Sequence, residues 1–367
     1  FIPLLLVCLL CVSAAALDVF VGDGGEGDGL TKETPLGTME AALEAVGDGG
    51  KITIVGTATL NEPLSEPAHE NPITVTGGKL IFNQTPLCRW YLSGPTTFEN
   101  MTITYGDTNT AKGAMIVARF HPLTLGAKIT ATLRSFILVG GYQFPMDAAE
   151  GEPALDLDSH ITVNSGKVNA VIGFTRGKDS KTFRGTSHIT VNGGSVAALY
   201  GASVHGNYAG STEITVNDGT VSALYTGGDL TRRLNGDAKV TVNGGKVNSI
   251  VVNNVMGHAD VFYLGGKVEA MSKKVEDAIA SKVTDGTVDL VVRKGLRASD
   301  FIGIFDSATY EDGSKISAAS DAEIAEYTTI DRVPEKSRAN MIRIYVSALG
   351  NGDGTTPDSA ISDLAAA

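Results

Sequence analysis

The sequence predicts an all-β chain wound as a right-handed parallel β-helix, and three observations predict it. A segment of strict apolar alternation returns through the middle of the chain about once every 25 residues. A glycine-bearing turn follows each copy, and Gly totals 44 residues. Hydrophobic residues make up 43% of the chain but aromatics only 6%, so Val, Ile, Leu and Ala must fill a core of short strands.

The repeat is read directly from the residues. SHITVNSGKV runs from Ser159 to Val168 and returns as SHITVNGGSV from Ser187 to Val196. It returns again as TEITVNDGTV from Thr212 to Val221 and as AKVTVNGGKV from Ala238 to Val247. A degraded copy, VFYLGGKV, spans Val261 to Val268, and earlier echoes are ITVTGGKL from Ile73 and FENMTI from Phe98. In each copy Ile189 and its equivalents point one way while His188 and Thr190 point the other. A hairpin meander would explain one copy but would not stack equivalent residues. A solenoid does stack them, so each apolar position becomes a column. Ile161, Ile189, Ile214 and Val240 form one predicted column. Val163, Val191, Val216 and Val242 form a second, and Val168, Val196, Val221 and Val247 a third. About a dozen coils at the strand spacing of about 4.8 Å would make a rod of about 55 Å.

Asn164, Asn192, Asn217 and Asn243 share one position in the repeat. Two readings stand. Stacked amides would bond along the axis as a ladder, or Asn is there because it tolerates a left-handed turn.

These repeats resemble the right-handed parallel β-helix superfamily, which includes pectate lyases, polygalacturonases and adhesin-like surface proteins. The segment from Asp18 to Gly29, then Thr34 to Met39 and Ala41 to Ala45, resembles that group's common beginning: strand, Gly/Asp loop, short helix, then a first coil from Lys51 to Thr57. The resemblance covers about residues 18 to 270. It implies a fold with a strand–helix cap at its N-terminal end, and it is unspecific for activity.

Residues 1–16 are apolar and uncharged and end Ser13-Ala14-Ala15-Ala16, which reads as the h-region and cleavage site of a secretory signal peptide. The run is shorter than the about 20 residues a membrane span needs. It lacks an initiator Met and a basic flank, so the leader is expected to begin upstream. Cys8 and Cys11 fall within it, leaving Cys88 alone in the mature chain, where a small buried hydrophobe is expected and disulfides are not. Two sequons, at Asn83 and Asn100, are acceptors for glycans in a eukaryotic secretory route.

Residues 17–270 are thus expected to be the β-helix, and 271–343 an irregular capping or linking region of the same module. Within it Met271 to Lys282 has helical spacing, while Val288 to Val292 and Phe301 to Phe305 read as strands. The run from Ile344 to Ala360 repeats the pattern of Val19 to Leu36, so 344–367 reads as the start of a second tandem module, cut short.

The search for chemistry finds no catalytic constellation. A formal net charge of −12 argues against nucleic-acid binding and against a basic membrane contact. Arg332 to Arg338 resembles a lyase Arg-x-Pro-x-x-Arg run but has one residue too many. Gly257-His258-Ala259-Asp260 lacks the Gly-His-Gly and paired Asp of polygalacturonases. Asp156 and Asp158 would share a strand face, as paired carboxylates of a glycosidase could. His160 and His188 are outward neighbours one coil apart, but two His without a third ligand make a poor metal site. The Asp23 to Asp28 loop offers oxygens without a calcium-loop consensus. No catalytic residue, metal site or cofactor is therefore expected.

The function expected is that of a non-enzymatic extracellular structural or adhesive repeat protein, one module of a longer surface fibre or adhesin. Its partners would be further copies or modules of itself and surface glycans, with no membrane span in the mature chain. The alternatives are a polysaccharide-active lyase or hydrolase, or a glycan-binding module in which Tyr200 and Tyr225 stack on sugars.

Overall fold

A computed structural model gives the fold as a right-handed parallel β-helix with one short helix. The structure describes residues 17–83, 88–106, 114–132, 135–143, 156–177, 182–205, 207–228, 236–253, 257–274, 287–296, 298, 301 and 304–316. The expected leader (1–16), the Arg332 to Arg338 run and the expected module start (344–367) lie outside the described residues, as does the side chain of Cys88. The β-helix belongs to a compact unit that ends at Lys315.

The strand repeat builds the first sheet. Its twelve strands, in spatial order, are Leu17–Val21, Gly50–Ile54, Ile73–Thr76, Thr96–Glu99, Leu123–Leu125, Ser159–Val163, Thr186–Val191, Ser211–Val216, Ala238–Val242, Ala259–Tyr263, Val288–Val292 and Ser307–Tyr310. Sequence order and spatial order coincide, and each pairing is parallel. A chain can do this only by winding once around per strand. The second sheet, of eleven strands, runs from Leu64–Ser65 to Lys267–Val268 and Met271–Lys274. A third sheet of four strands, Thr57–Leu60, Lys79–Phe82, Thr102–Tyr105 and Thr130–Ala131, covers the early coils.

All three predicted columns are in register. Ile161 pairs with Ile189, Ile189 with Ile214, and Ile214 with Val240, each at 0–1% exposure. Val163, Val191, Val216 and Val242 follow at 0%. Val168, Val196, Val221 and Val247 line the second sheet in the same way. Met39–Val46 is the one helix among the described residues. Thr38 caps it by accepting from the Ala41 amide at 3.2 Å, and its buried face of Met39, Ala42, Leu43 and Val46 covers the first coils.

Three expectations for the later part are revised. The first sheet continues past residue 270 through Val288–Val292 and Ser307–Tyr310. Met271–Lys274 is a strand in register with Ile250–Asn253, because pairing with the coil below overrides a weak helical spacing; residues 275–282 lie outside the described set. Phe301 sits in a turn closed by its amide on the Ala298 carbonyl at 2.9 Å, so the strand falls at Ser307–Tyr310 instead of Phe301 to Phe305. Val288–Val292 is a strand as expected.

A polar network is buried between two successive coils. Glu66 and His69 have side chains only 0% and 1% exposed, with His69 Nε2 3.1 Å from Glu66 Oε2. The Glu66 carboxylate also accepts from Trp90 Nε1 at 2.8 Å, the Ser93 amide at 3.0 Å and Thr96 Oγ1 at 3.1 Å. Thr96 occupies a position that is apolar in the neighbouring coils, and Glu66 is its reason for being there. Part of the second sheet's outer face is buried too: Tyr91, Met115, Val117, Val139 and Ile172 pack as a separate apolar cluster at 0–2% exposure.

Candidate functional site

The outward face of the first sheet presents three ordered columns. Alternation places every second residue of each strand on this face. In the middle column Thr74, Thr97, Thr124, Thr162, Thr190, Thr215 and Thr241 are successive register partners, all half-buried. Thr74 and the last four are visible in the sequence, inside the ITVTGGKL echo and the repeats. Thr97 and Thr124 are hidden there because the coils that carry them depart from the repeat, at Glu99 and Gly126.

The asparagines form the second column. Asn192 Nδ2 donates to Asn164 Oδ1 at 2.8 Å, Asn217 to Asn192 at 2.7 Å, and Asn243 to Asn217 at 2.8 Å. None of the four has a positive φ. The left-handed residue of each turn is the glycine two positions later, with φ of 91° at Gly166, 74° at Gly194, 85° at Gly219 and 67° at Gly245. Of the two readings, the amide ladder accounts for Asn and the glycine accounts for the turn. Asn192→Ala removes two of these bonds, and a loss of about 1–2 kcal/mol is expected in denaturant unfolding. An unchanged midpoint would show that water replaces the ladder at no cost.

The third column is ionic: His160, His188, Glu213, Lys239, Asp260 and Asp289 are successive partners. The imidazoles of His160 and His188 stack face to face, 4.7 Å apart and 4° from parallel. His188 Nδ1 lies 3.2 Å from Glu213 Oε2. Burial, with the neighbouring His188 charge, lowers the His160 pKa against the pull of Asp158. Among the described residues two groups gather three ligand atoms within 4.8 Å of one another: Asp158, His160 and His188, and His258, Asp260 and Asp289. The sequence offers Asp158 as a carboxylate apart from the two histidines; the fold brings it beside His160 and His188.

The remaining candidates are occupied by structure. Asp156 and Asp158 precede the strand instead of sharing its face. Asp156 faces Arg184 at 3.6 Å, and Asp158 Oδ1 accepts from the Thr186 amide at 2.6 Å. Asp23 accepts from Thr57 Oγ1, the Thr59 amide and Thr59 Oγ1 at 2.6–2.8 Å, and Asp28 from the Leu30 amide and Thr34 Oγ1 at 2.9–3.0 Å. Those backbone and hydroxyl donors hold the Asp28 carboxyl below its usual range. Tyr200 and Tyr225 are register partners whose rings stack on each other at 4.9 Å and 8°.

No family model, curated protein or solved structure matches the chain. The two sequon asparagines differ: Asn100 is exposed in a turn with φ of 51°, whereas Asn83 is half-buried and donates to Asn61 Oδ1 at 2.9 Å. Among the described residues no helix is long and apolar enough to cross a membrane.

Proposed function

We propose that the chain is a non-enzymatic extracellular structural or adhesive repeat protein, and that it makes contact through the outward face of its first sheet. The observation that carries this reading is the unbroken column of seven half-buried threonines beside the amide ladder. Hydroxyls and methyls repeated at the strand spacing of about 4.8 Å give a periodic surface its partner can match group for group. Each contact is weak, and a rigid array adds them with little further loss of freedom. The apolar leader of residues 1–16 supports export, and the fitting partners are surface glycans and further copies or modules of the same chain in a surface fibre.

The tyrosine pair supports the sugar-stacking alternative less well, because the faces a sugar would need are turned on each other. The test is retention of the purified chain on arrayed polysaccharides. Thr162→Lys, Thr190→Lys and Thr215→Lys together should reduce retention at least about a hundredfold, as expected when a multivalent array is broken, with the circular dichroism spectrum unchanged. Retention that survives the three lysines, or breakdown of the polysaccharide by the unmodified chain, would reject the reading.

A further inference from the structure

Asp260 and Asp289 stand directly opposite each other on neighbouring strands of the first sheet. Like charges in that relation repel and destabilise a sheet. A third carboxylate, Asp237, lies one coil back and accepts from the His258 amide at 2.7 Å. Among the described residues the cation in the adjoining column position is Lys239, the partner of Asp260 on its other side. Its ammonium lies 5.7 Å over the Phe262 ring. Among the described residues the neighbourhood therefore holds more negative charge than its side chains offset.

His258 sits at the centre of this group. Its Nε2 is 3.0 Å from Asp260 Oδ1 and 3.6 Å from Asp289 Oδ2. Metal–ligand bonds of about 2.0–2.2 Å in a tetrahedron place ligand atoms about 3.3–3.6 Å apart, so both separations are near those of a shared ion. The ligands are also held from behind. Thr287 Oγ1 lies 2.6 Å from His258 Nδ1, and with the proton assigned to Nδ1 the Nε2 lone pair faces the carboxylates. Ser307 Oγ donates to Asp289 Oδ1 at 2.7 Å, leaving Oδ2 turned towards His258. All three side chains are 35–39% exposed and open to an ion; Asp260 and Asp289 are carried by paired strands, and His258 directly precedes one of them.

We propose that His258, Asp260 and Asp289 bind one divalent transition-metal ion, with water completing the coordination. A proton on Nε2 would offset one of the two facing carboxylates; a divalent ion offsets both. One imidazole and two carboxylates suit zinc, which takes nitrogen and oxygen ligands in this geometry. The group of Asp158, His160 and His188 is a built-in comparison. Its imidazoles lie in parallel planes and do not converge on one point, and His188 is drawn to Glu213.

The experiment is calorimetric titration of the metal-stripped full chain with zinc chloride at neutral pH, with zinc-edge X-ray absorption to read the ligands. One site with only nitrogen and oxygen neighbours is expected. His258→Ala and Asp289→Asn should each weaken it at least about tenfold, and Thr287→Val by about tenfold through loss of ring orientation. His160→Ala with His188→Ala should leave it unchanged. Circular dichroism checks each variant for folding, and Asp289→Asn serves if His258→Ala does not fold. The proposal is overturned if no zinc binds, if His258→Ala and Asp289→Asn bind as well as the unmodified chain, or if binding is lost only with His160 and His188.

Discussion

Glu66→Ala should remove about 3–5 kcal/mol of unfolding free energy, the size expected when one partner of a buried ion pair is deleted. The substitution strands His69 Nε2, Trp90 Nε1 and the Ser93 amide at once and leaves Thr96 Oγ1 only the Gly94 carbonyl at 3.3 Å. Glu66→Gln keeps part of the acceptor capacity and should cost less. Guanidinium unfolding followed by Trp90 fluorescence measures both, since Trp90 is the only tryptophan of the chain. A loss below about 1 kcal/mol for Glu66→Ala would show that the network contributes no more than one ordinary hydrogen bond.

The same pair sets a pH dependence. Burial pulls the His69 pKa down, but hydrogen bonds to Glu66 and the Asn71 carbonyl, with the charges of Glu66 and Asp48, outweigh it and raise the value above the ordinary range. The folded chain thus holds the proton more tightly than the unfolded chain. The stabilisation is fully present below the unfolded value of about 6.5 and is lost as pH rises through the higher folded value. The stability difference between the unmodified chain and His69→Ala should shrink over that window.

The second large effect lies in the stacked core. Ile189→Ala should cost about 2–5 kcal/mol, because Ile161 and Ile214 above and below it are held by the backbone ladder and cannot collapse into the cavity. Thr190→Ala, one residue on but facing outward, should stay within about 0.5 kcal/mol. Equal effects at the two positions would mean that the inward and outward faces are misassigned.

The fold was legible because the repeat writes one physical rule several times. Ile189, Val191 and Val196 recur at fixed offsets, and only a coil stacked on itself puts such positions in contact. The Asn ladder was legible for the same reason, although the sequence leaves two explanations for Asn beside the turn, which the φ angles at Gly194 and its equivalents separate. The face was half legible: Thr162 to Thr241 belong to the repeats, whereas Thr97 and Thr124 sit in coils whose flanking residues differ. Glu66 and His69 left no signal. They lie in an irregular segment, and their partners Trp90 and Thr96 come from the next coil, 24 and 30 residues on. The convergence of His258 on Asp289 is equally non-local, since it needs the coil register and the continuation of the sheet past residue 270. Met271 misled because four residues of strand carry too few side chains to distinguish a period of two from one of 3.6.

The measurement that bears most directly on the stacked-coil account is the distance between nitroxide labels at Thr124 and Thr241, read by pulsed electron spin resonance. Thr162, Thr190 and Thr215 lie between them in the column, so the separation is four strand spacings. The account predicts one narrow peak near 19 Å, from about 4.8 Å per coil. A peak beyond about 30 Å, far outside four such spacings, would contradict it.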